Sequence, residues 1–444
     1  MRDILLTMIV FGFIPFILYR PYVGILVWSW LGFMNPHRLC YGFAYDFPYS
    51  KIIGLITIVS FLIFYKDKVL PKSSMLLWLL LMFVFWTGIT TIDAIYPEEA
   101  MTVWAGFLKI VFMVFLTLFM VNDVKKLNML IAVIVLSLGF YGFKGGLFTL
   151  ITAGAFHVWG PSETFISENN SIGLALVMVL PLMWYMYTIA EGKYLKRFII
   201  LSMFLTAIAV VGTHSRGAFL AIMVMTTFLI MKSRAKFKFG AAVIIAAPLI
   251  FAFMPQSWHD RMDSIKNYEQ DESAMQRINA WEYSINLAGD HPLTGGGYNA
   301  FSEELFARYS NRPDIPWQGP HSIYFETLGE HGYVGLLLFL LMGLTLYKTM
   351  GYVIKRSKDY EDMRWAGDLA AMTQVSIVGY AVAGAFLELA TFDLYYMFIA
   401  IGILTYGFLK KRMLQEEQEL ELGENLKAAG THSAPIMNNK RPAY

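Results

Sequence analysis

The chain has 444 residues, of which 57% are hydrophobic and only 15% are charged. Soluble domains carry roughly 25% charged residues, so this composition excludes an ordinary soluble enzyme and indicates a membrane protein. The formal net charge of +2 gives no sign of a nucleic-acid partner, and the single cysteine, Cys40, excludes an intramolecular disulfide and a cysteine-based metal centre.

Long apolar runs follow one another along the chain. Because lipid offers no partner for an unpaired backbone group, each run is predicted to be a helix, which gives an all-α integral membrane protein with about 12 transmembrane helices. A shorter run at 21–36, bounded by Pro21 and Pro36, is predicted to be re-entrant or interfacial rather than a full span. The twelve long runs lie near 4–19, 51–65, 75–92, 103–121, 128–149, 171–189, 198–212, 217–231, 240–255, 322–347, 370–389 and 394–409.

The positions of lysine and arginine orient these helices. The connections at 93–102, 150–170 and 390–393 contain neither residue, whereas the alternate connections are basic. Loops rich in lysine and arginine stay in the cytoplasm, so both termini are predicted to be cytoplasmic. The basic connections lie at 66–72, 125–126, 193–197, 232–238, 348–358 and 410–412.

This orientation divides the chain into four predicted regions. Residues 1–255 form the N-terminal transmembrane helices and 256–320 form a large outward loop, followed by C-terminal helices at 321–409 and a cytoplasmic tail at 410–444. Within the loop we predict a helix at 274–288, a glycine-rich turn at 291–301 and an irregular stretch at 311–320. The tail is predicted to begin as a charged helical extension and to end in disorder. A long loop in a compact protein is usually functional.

The first candidate site is the sequence GTHSRG at 212–217, which separates two apolar runs on the predicted outer face. Thr213 or Ser215 can cap the helix predicted to begin at Gly217. An arginine beside the positive end of a helix favours an anion, phosphate above all, so Arg216 is a candidate ligand for a lipid-linked phosphate. The alternative is that Arg216 only extends toward the lipid headgroups.

The second candidate is His321 in GPHSIYFETLGEHGYVG. Pro320 suits the first position of a helix, which would place His321 in the first turn, on one face with Tyr324 and Leu328. The helix dipole would then favour a neutral imidazole that can accept a proton. The alternative is a structural histidine that binds its own loop.

Two further residues each allow a functional and a structural interpretation. Arg277, on the predicted loop helix, is either a site residue or the partner of Glu282 or Asp271. Asn170 lies at the predicted outer start of the helix that follows, where capping explains it and a sugar or phosphate contact is also open. No HExxH sequence and no local cluster of carboxylates suggests a metal, so neither a metal nor a cofactor is expected.

Taken in order, three segments resemble the core of the O-antigen ligase and polymerase superfamily: GTHSRGAFLA, RINAWEYSINLAGDHPLTGGGYNAF and PHSIYFETLGEHGYVGLLLFL. The opening YRPYVGILVWSWLGFMNPHRLCYGFAYDFPYSKIIG is similar to the branch of O-glycosylation ligases associated with exosortase systems. The resemblance implies a glycosyltransferase of the bacterial inner membrane with a periplasmic active site under the large loop.

The resemblance also implies the chemistry. The donor would be a polyprenyl-diphosphate-linked glycan, gripped by Arg216 and Arg277, and His321 would be the essential histidine. Ser322 stands where the family motif has asparagine, and His214 matches no known role, although Ser215, His214, Asn170 and Tyr324 are all placed to contact substrate. Expected partners are the donor, a glycan, lipid or protein acceptor, and membrane lipids.

The expected reaction is a metal-independent, inverting transfer to the acceptor. Three alternatives remain. A polymerase would extend a lipid-linked repeat unit, but the single large loop and the family branch favour a ligase. A transporter or flippase would place charges in mid-membrane, whereas the polar clusters here lie at helix ends. A non-catalytic scaffold would tolerate loss of Arg216, Arg277 and His321 together.

Overall fold

The computed structural model describes residues 1–65, 74–232, 236–263, 272–312 and 314–431. Within these ranges the only regular structure is helical. The basic connections at 66–73 and 233–235 lie outside the described residues, as does 432–444, where disorder is predicted. The helices are α1 Arg2–Gly12, α2 Ile14–Tyr19, α3 Tyr22–Met34, α4 Tyr49–Phe64, α5 Met75–Ile92, α6 Pro97–Met120, α7 Val124–Ile151, α8 Asn169–Ile189, α9 Lys193–Gly212, α10 Arg216–Lys232, α11 Lys236–Phe253, α12 Gln256–Asp263, α13 Glu272–Asp290, α14 Glu303–Tyr309, α15 Ile323–Arg356, α16 Arg364–Gly384 and α17 Asp393–Thr431.

The twelve apolar runs all fall on helices, with two differences at their ends. The first run is two helices, α1 and α2, because Pro15 starts a new helix after Phe13. The run at 370–389 overshoots, since α16 ends at Gly384. Residues 385–392 form a loop whose Leu387 and Leu389 are buried, so local hydropathy could not distinguish this loop from a helix end.

The chain is a multi-pass membrane protein by the length and composition of its helices. Among the described residues, seven helices are long and apolar enough to cross a membrane, and α3 and α4 are shorter apolar helices. A 13-residue helix such as α3 is about 20 Å long, which is less than the hydrocarbon thickness. The count of twelve spans and the re-entrant assignment of 21–36 stay predictions. The seven are Arg2–Tyr19, Met75–Ile92, Pro97–Met120, Val124–Ile151, Asn169–Ile189, Lys193–Gly212 and Ile323–Asp359.

Helix α8 lies at the centre of the bundle. Its residues from Ser171 to Met183 are buried without interruption, and a helix that is apolar on all sides belongs in an interior. It packs against α7, α9, α10 and α16. Helices α7 and α9 approach closely because Gly146 lies directly against the backbone carbonyl of Leu205.

The segment between α11 and α15 has a small core of its own. Its predicted helix at 274–288 is confirmed as α13, whereas the short helix α14 was not predicted. Tyr283 is fully buried, and its hydroxyl donates to the carbonyl of Ala300 at 2.5 Å. Burial raises the pKa of Tyr283, so the phenol keeps the proton that this hydrogen bond needs. The core consists of Tyr283, Leu287, Ala300, Leu305, Phe306 and Tyr309.

The predicted glycine-rich turn binds to a break in α15. Gly332 has φ 64° and ψ −170°, which interrupts the helix beside the carbonyls of Gly329 and Glu330. The backbone N–H groups of Gly296 and Gly297 donate to these carbonyls at 2.8 and 2.9 Å. The N–H groups of the turn therefore pair with the backbone carbonyls at the break in α15.

Candidate functional site

The loop at residues 385–392, the α16–α17 loop, connects the predicted site residues at one end of the bundle. Phe386 lies against Gly217 on α10, where a Cβ atom would be 3.1 Å from Phe386 Cβ. Glu388 binds the turn that contains His321, and the N–H of Ala390 donates to Glu326 on α15 at 3.0 Å. One loop thus ties the start of α10 to the start of α15.

His321 does not lie in the first turn of a helix, so that prediction is wrong. Helix α15 begins at Ile323 with Ser322 as its N-cap, and His321 precedes both with a left-handed φ of 40°. The physical reason is tertiary: the carbonyl of Pro320 accepts from Trp281 at 2.8 Å, and the N–H of His321 donates to Glu388. These bonds replace helical ones. The helix-dipole argument for His321, and the helix face that it was predicted to share with Tyr324, therefore no longer apply.

Glu388 is the principal site residue that the sequence did not reveal. Its Oε1 accepts from the His321 N–H at 2.8 Å and lies 3.8 Å from His321 Nδ1, a separation too long for a hydrogen bond to the ring. A Cβ atom at Gly319 would meet the same carboxylate, so Glu388 lies directly against the turn. Glu388 therefore holds the His321 turn through the backbone and places a negative charge beside the imidazole.

Arg277 lies one turn before Trp281 on α13 and is half-buried. Residues four apart share a helix face, so Arg277 lies on the face of α13 that binds the His321 turn through Trp281. The Trp281 ring also stacks on Phe325 with 5.1 Å between centroids. The sequence offered Glu282 and Asp271 as alternative partners of Arg277. Glu282 accepts from Asn311 at 3.0 Å, and Asp271 lies outside the described residues.

Arg216 is the first residue of α10, one position earlier than predicted, and is half-buried. The predicted cap is confirmed, because Ser215 Oγ accepts from the N–H of Ala218 at 3.2 Å. The arginine thus lies beside a capped helix N-terminus, where the partial positive charge of the helix adds to its own. Such an arrangement is suited to an anion.

The remaining predicted contacts mostly hold the site walls together. His214 is buried with φ 55°, its Nε2 lies 2.9 Å from the carbonyl oxygen of Gly154, and its ring packs 4.4 Å from that of His157. Asn170 is half-buried in the first turn of α8. The Tyr324 hydroxyl donates to the carbonyl of Ala381 at 2.8 Å, which joins α15 to α16. His214 therefore has a packing role that its sequence position did not suggest.

Two glutamates on α15, the half-buried Glu326 and the buried Glu330, were also missed. Glu326 accepts from Ala390, and Glu330 accepts from the N–H of Asn299 at 3.0 Å, so each binds the backbone of a neighbouring loop. His331 Nδ1 lies 2.7 Å from Thr90 Oγ1 inside the bundle. The four-residue spacing of the two glutamates in FETLGEH was the available signal, since it places both on one helix face.

This geometry defines a multi-pass helical membrane protein with arginine, histidine and carboxylate groups at one end of the bundle. Residues 201–340 match the O-antigen ligase family, which supports a relationship of the chain to the O-antigen ligase superfamily. This confirms the resemblance found in the sequence, although the exosortase-associated branch stays an expectation. The matched segment contains Arg216, Arg277 and His321, whereas Glu388 lies beyond it.

The N-terminal part of the chain matches a second family. Residues 1–191 match a family of unknown function (DUF5935). No curated protein matches the chain. The O-antigen ligase match and the apolar helices support a membrane protein of glycan transfer or ligation in lipopolysaccharide or polysaccharide biosynthesis.

Proposed function

We propose that the protein transfers a glycan from a polyprenyl-diphosphate carrier to an acceptor at the periplasmic face of the bacterial inner membrane. The observation that carries the proposal is the α16–α17 loop, which contacts the start of α10 beside Arg216 and the turn that contains His321. Arg277 joins them through the bond from Trp281 to Pro320. All three residues belong to the segment that matches the O-antigen ligase family.

Arg216 and Arg277 neutralise the diphosphate as it leaves. Breaking the bond between the anomeric carbon and the phosphate oxygen puts negative charge on the diphosphate, and two guanidinium groups together with the α10 N-terminus stabilise that charge. Ser215 and Asn170, at the starts of α10 and α8, are the proposed secondary contacts to the phosphate or the first sugar. His214 and Tyr324 are proposed to hold the walls on which these groups lie.

His321 removes the proton from the acceptor hydroxyl. Nδ1 lies 3.8 Å from Glu388, so the carboxylate stabilises the imidazolium that forms when Nε2 takes the proton, through its charge and not through a hydrogen bond to the ring. The acceptor oxygen attacks the anomeric carbon as the diphosphate departs from the opposite side, so the configuration inverts. Glu388 acts through His321 and is a positioning residue.

The decisive experiment incubates purified protein with a polyprenyl-diphosphate glycan and candidate acceptors, and identifies the products by mass. A new conjugate together with free polyprenyl diphosphate supports the ligase. A longer lipid-linked chain identifies a polymerase, and the absence of any transfer under all conditions contradicts the proposal.

Variants assign the roles in the same assay. Arg216→Ala, Arg277→Ala and His321→Ala are each expected to lose transfer by about 10²-fold or more without unfolding, as removal of one transition-state contact does in other enzymes. Arg308→Ala is the matched control, because Arg308 lies on α14 and stacks on Tyr309. Wild-type transfer by His321→Ala removes the base assignment. Inhibition by a chelator removes the metal-independent mechanism.

A further inference from the structure

A cavity of about 540 Å³ lies beside the site end of the bundle, where α3, α4, α6 and the 152–168 loop meet the start of α17. Its volume falls within the range of roughly 300–1,000 Å³ that is usual for small-molecule sites. The sequence analysis assigned it no function. Its walls come mainly from the N-terminal part of the chain that matches the family of unknown function, together with Asp393.

Asp393 is the feature of this cavity that calls for a ligand. The residue is only 9% exposed, yet its carboxylate lines the cavity, and among the described residues no basic side chain pairs with it. The backbone N–H groups at the start of α17, its own and that of Leu394, interact with the carboxylate. A buried carboxylate has more acceptor capacity than these donors use, because two oxygens together offer about four lone-pair sites.

The other walls indicate the chemistry of the ligand. Trp28 and Phe165 supply aromatic faces, whereas Asn35 and Ser50 supply neutral polar groups. Asn35 is fixed in place, since its side-chain nitrogen donates to the carbonyl of Gly32. Aromatic faces together with hydrogen-bonding groups suit the apolar faces and hydroxyls of a sugar.

A phosphate and a hard cation are the main alternative ligands for this cavity, and its walls disfavour both. Glu163 also lines the cavity, but Arg38 pairs with its carboxylate at 2.7 Å, so the repulsion of a phosphate would come from Asp393. A hard cation needs several oxygen ligands, and no group of three or more metal-binding side chains exists in the described part of the chain. A neutral polyol is left as the ligand whose hydroxyl groups complement an acceptor-rich wall.

The α16–α17 loop connects this cavity to the proposed catalytic groups. Glu388 binds the His321 turn near the start of the loop, and Asp393 enters the cavity directly after its end. A sugar held by Asp393 therefore lies at the same end of the bundle as His321.

We propose that this cavity binds an uncharged sugar unit of one of the two substrates, with Asp393 accepting hydrogen bonds from its hydroxyls. The proposal deepens the transferase function and rests on it for the identity of the substrate. The sugar belongs either to the donor glycan or to the acceptor. The chemistry is the same in both cases.

Steady-state kinetics of the full-length protein distinguish the two sources. Asp393→Ala and Ser50→Phe, which fills the cavity from another wall, are measured with the donor varied and then with the acceptor varied. Loss of hydrogen bonds to a buried charge is expected to raise one KM by about tenfold or more with kcat little changed. A rise for the donor places the donor glycan in the cavity, and a rise for the acceptor places the acceptor there. Asp290→Ala, at an exposed carboxylate on α13, is the matched control.

Both KM values within about twofold of wild type in folded Ser50→Phe protein would overturn the proposal, even if Asp393→Ala failed to fold. A binding measurement separates this outcome from failure of the transferase function. The probe is the free glycan, released by mild acid from the lipid-linked fraction, and its binding is followed by saturation-transfer NMR. Binding that Ser50→Phe abolishes and Arg216→Ala retains supports the cavity even without transfer. Equal binding by wild type and Ser50→Phe, with both KM values unchanged, contradicts it.

Discussion

The contact between Glu388 and the His321 turn allows a quantitative test. Glu388→Gln keeps an oxygen that can accept the His321 N–H but removes the charge that lies 3.8 Å from Nδ1. At 3.8 Å, a carboxylate attracts an imidazolium by about 4 kcal/mol at the effective dielectric of a protein surface, and screening at a side chain that is 35% exposed reduces this to about 1–2 kcal/mol. Since about 1.4 kcal/mol is a factor of ten in rate, transfer is expected to fall about 5- to 30-fold.

Glu388→Ala is expected to lose more than Glu388→Gln. It removes the charge and also the acceptor for the His321 N–H, so the left-handed conformation of His321 loses its support. The expected loss is about 10- to 100-fold, together with a lower midpoint of thermal unfolding. In both variants kcat should fall while the KM for the donor stays constant, because the arginines and not Glu388 hold the diphosphate.

The assay is the mass-based transfer reaction with purified protein, and Glu303→Gln at an exposed glutamate on α14 is the control. Partial recovery by Gln relative to Ala distinguishes a role in positioning His321 from general loss of structure. If both Glu388 variants stay folded and transfer within about twofold of wild type, the positioning role is refuted. The assignment of His321 would then stand without it.

Three further predictions concern the fold and its orientation. Gly146→Ala should lower the midpoint of thermal unfolding by several degrees, since its Cβ would collide with the carbonyl of Leu205 and such overpacking costs about 1–3 kcal/mol or more. Gly106→Ala, with no atom within 4 Å of the new Cβ, should leave it unchanged or slightly raised, and equal midpoints for the two variants would contradict the α7–α9 contact. His214→Ala should destabilise the protein and leave the donor KM unchanged. His214→Asn should recover part of the stability, because asparagine tolerates a positive φ. A raised donor KM at constant stability would instead make His214 a substrate contact. In a Cys40→Ala background the chain has no cysteine, so single cysteines can report the orientation. A cysteine introduced at Asp314 should react with an impermeant maleimide from the periplasm, and one introduced at Lys358 should react only after lysis. The reverse result would invert the topology.

Local sequence patterns were sufficient for much of the fold. The apolar runs located the helices, because residues that face lipid or the bundle interior must be apolar whatever their neighbours are. Helix α13 was predicted within two residues at each end. The cap at Ser215 followed from the preference for a hydroxyl before a helix, a rule that depends only on adjacent residues. Arg277 was correctly predicted on the loop helix, whereas Arg216, predicted just before a helix at Gly217, is the first residue of α10.

What could not be predicted depends on contacts between distant residues. Glu388 lies among apolar residues because its loop is buried, so the sequence around it looked like the end of a helix. His321 follows a proline that would normally start a helix, but Trp281 and Glu388 bind the backbone there and delay the helix to Ile323. The break at Gly332 is set by the turn that binds to it. A glycine in an apolar run does not disclose such a partner.

The bonding of the glycine turn to the break in α15 restricts how the chain can be built into a membrane. Within hydrocarbon, a backbone carbonyl without a partner costs several kcal/mol, and the carbonyls of Gly329 and Glu330 receive theirs from Gly296 and Gly297. The turn is synthesised before α15, so its donors already exist when α15 enters the membrane. Completion of the backbone of α15 therefore depends on a loop that lies outside the helix in sequence. A chain whose loop is retained on the wrong side would expose an incomplete helix, which quality-control proteases could recognise.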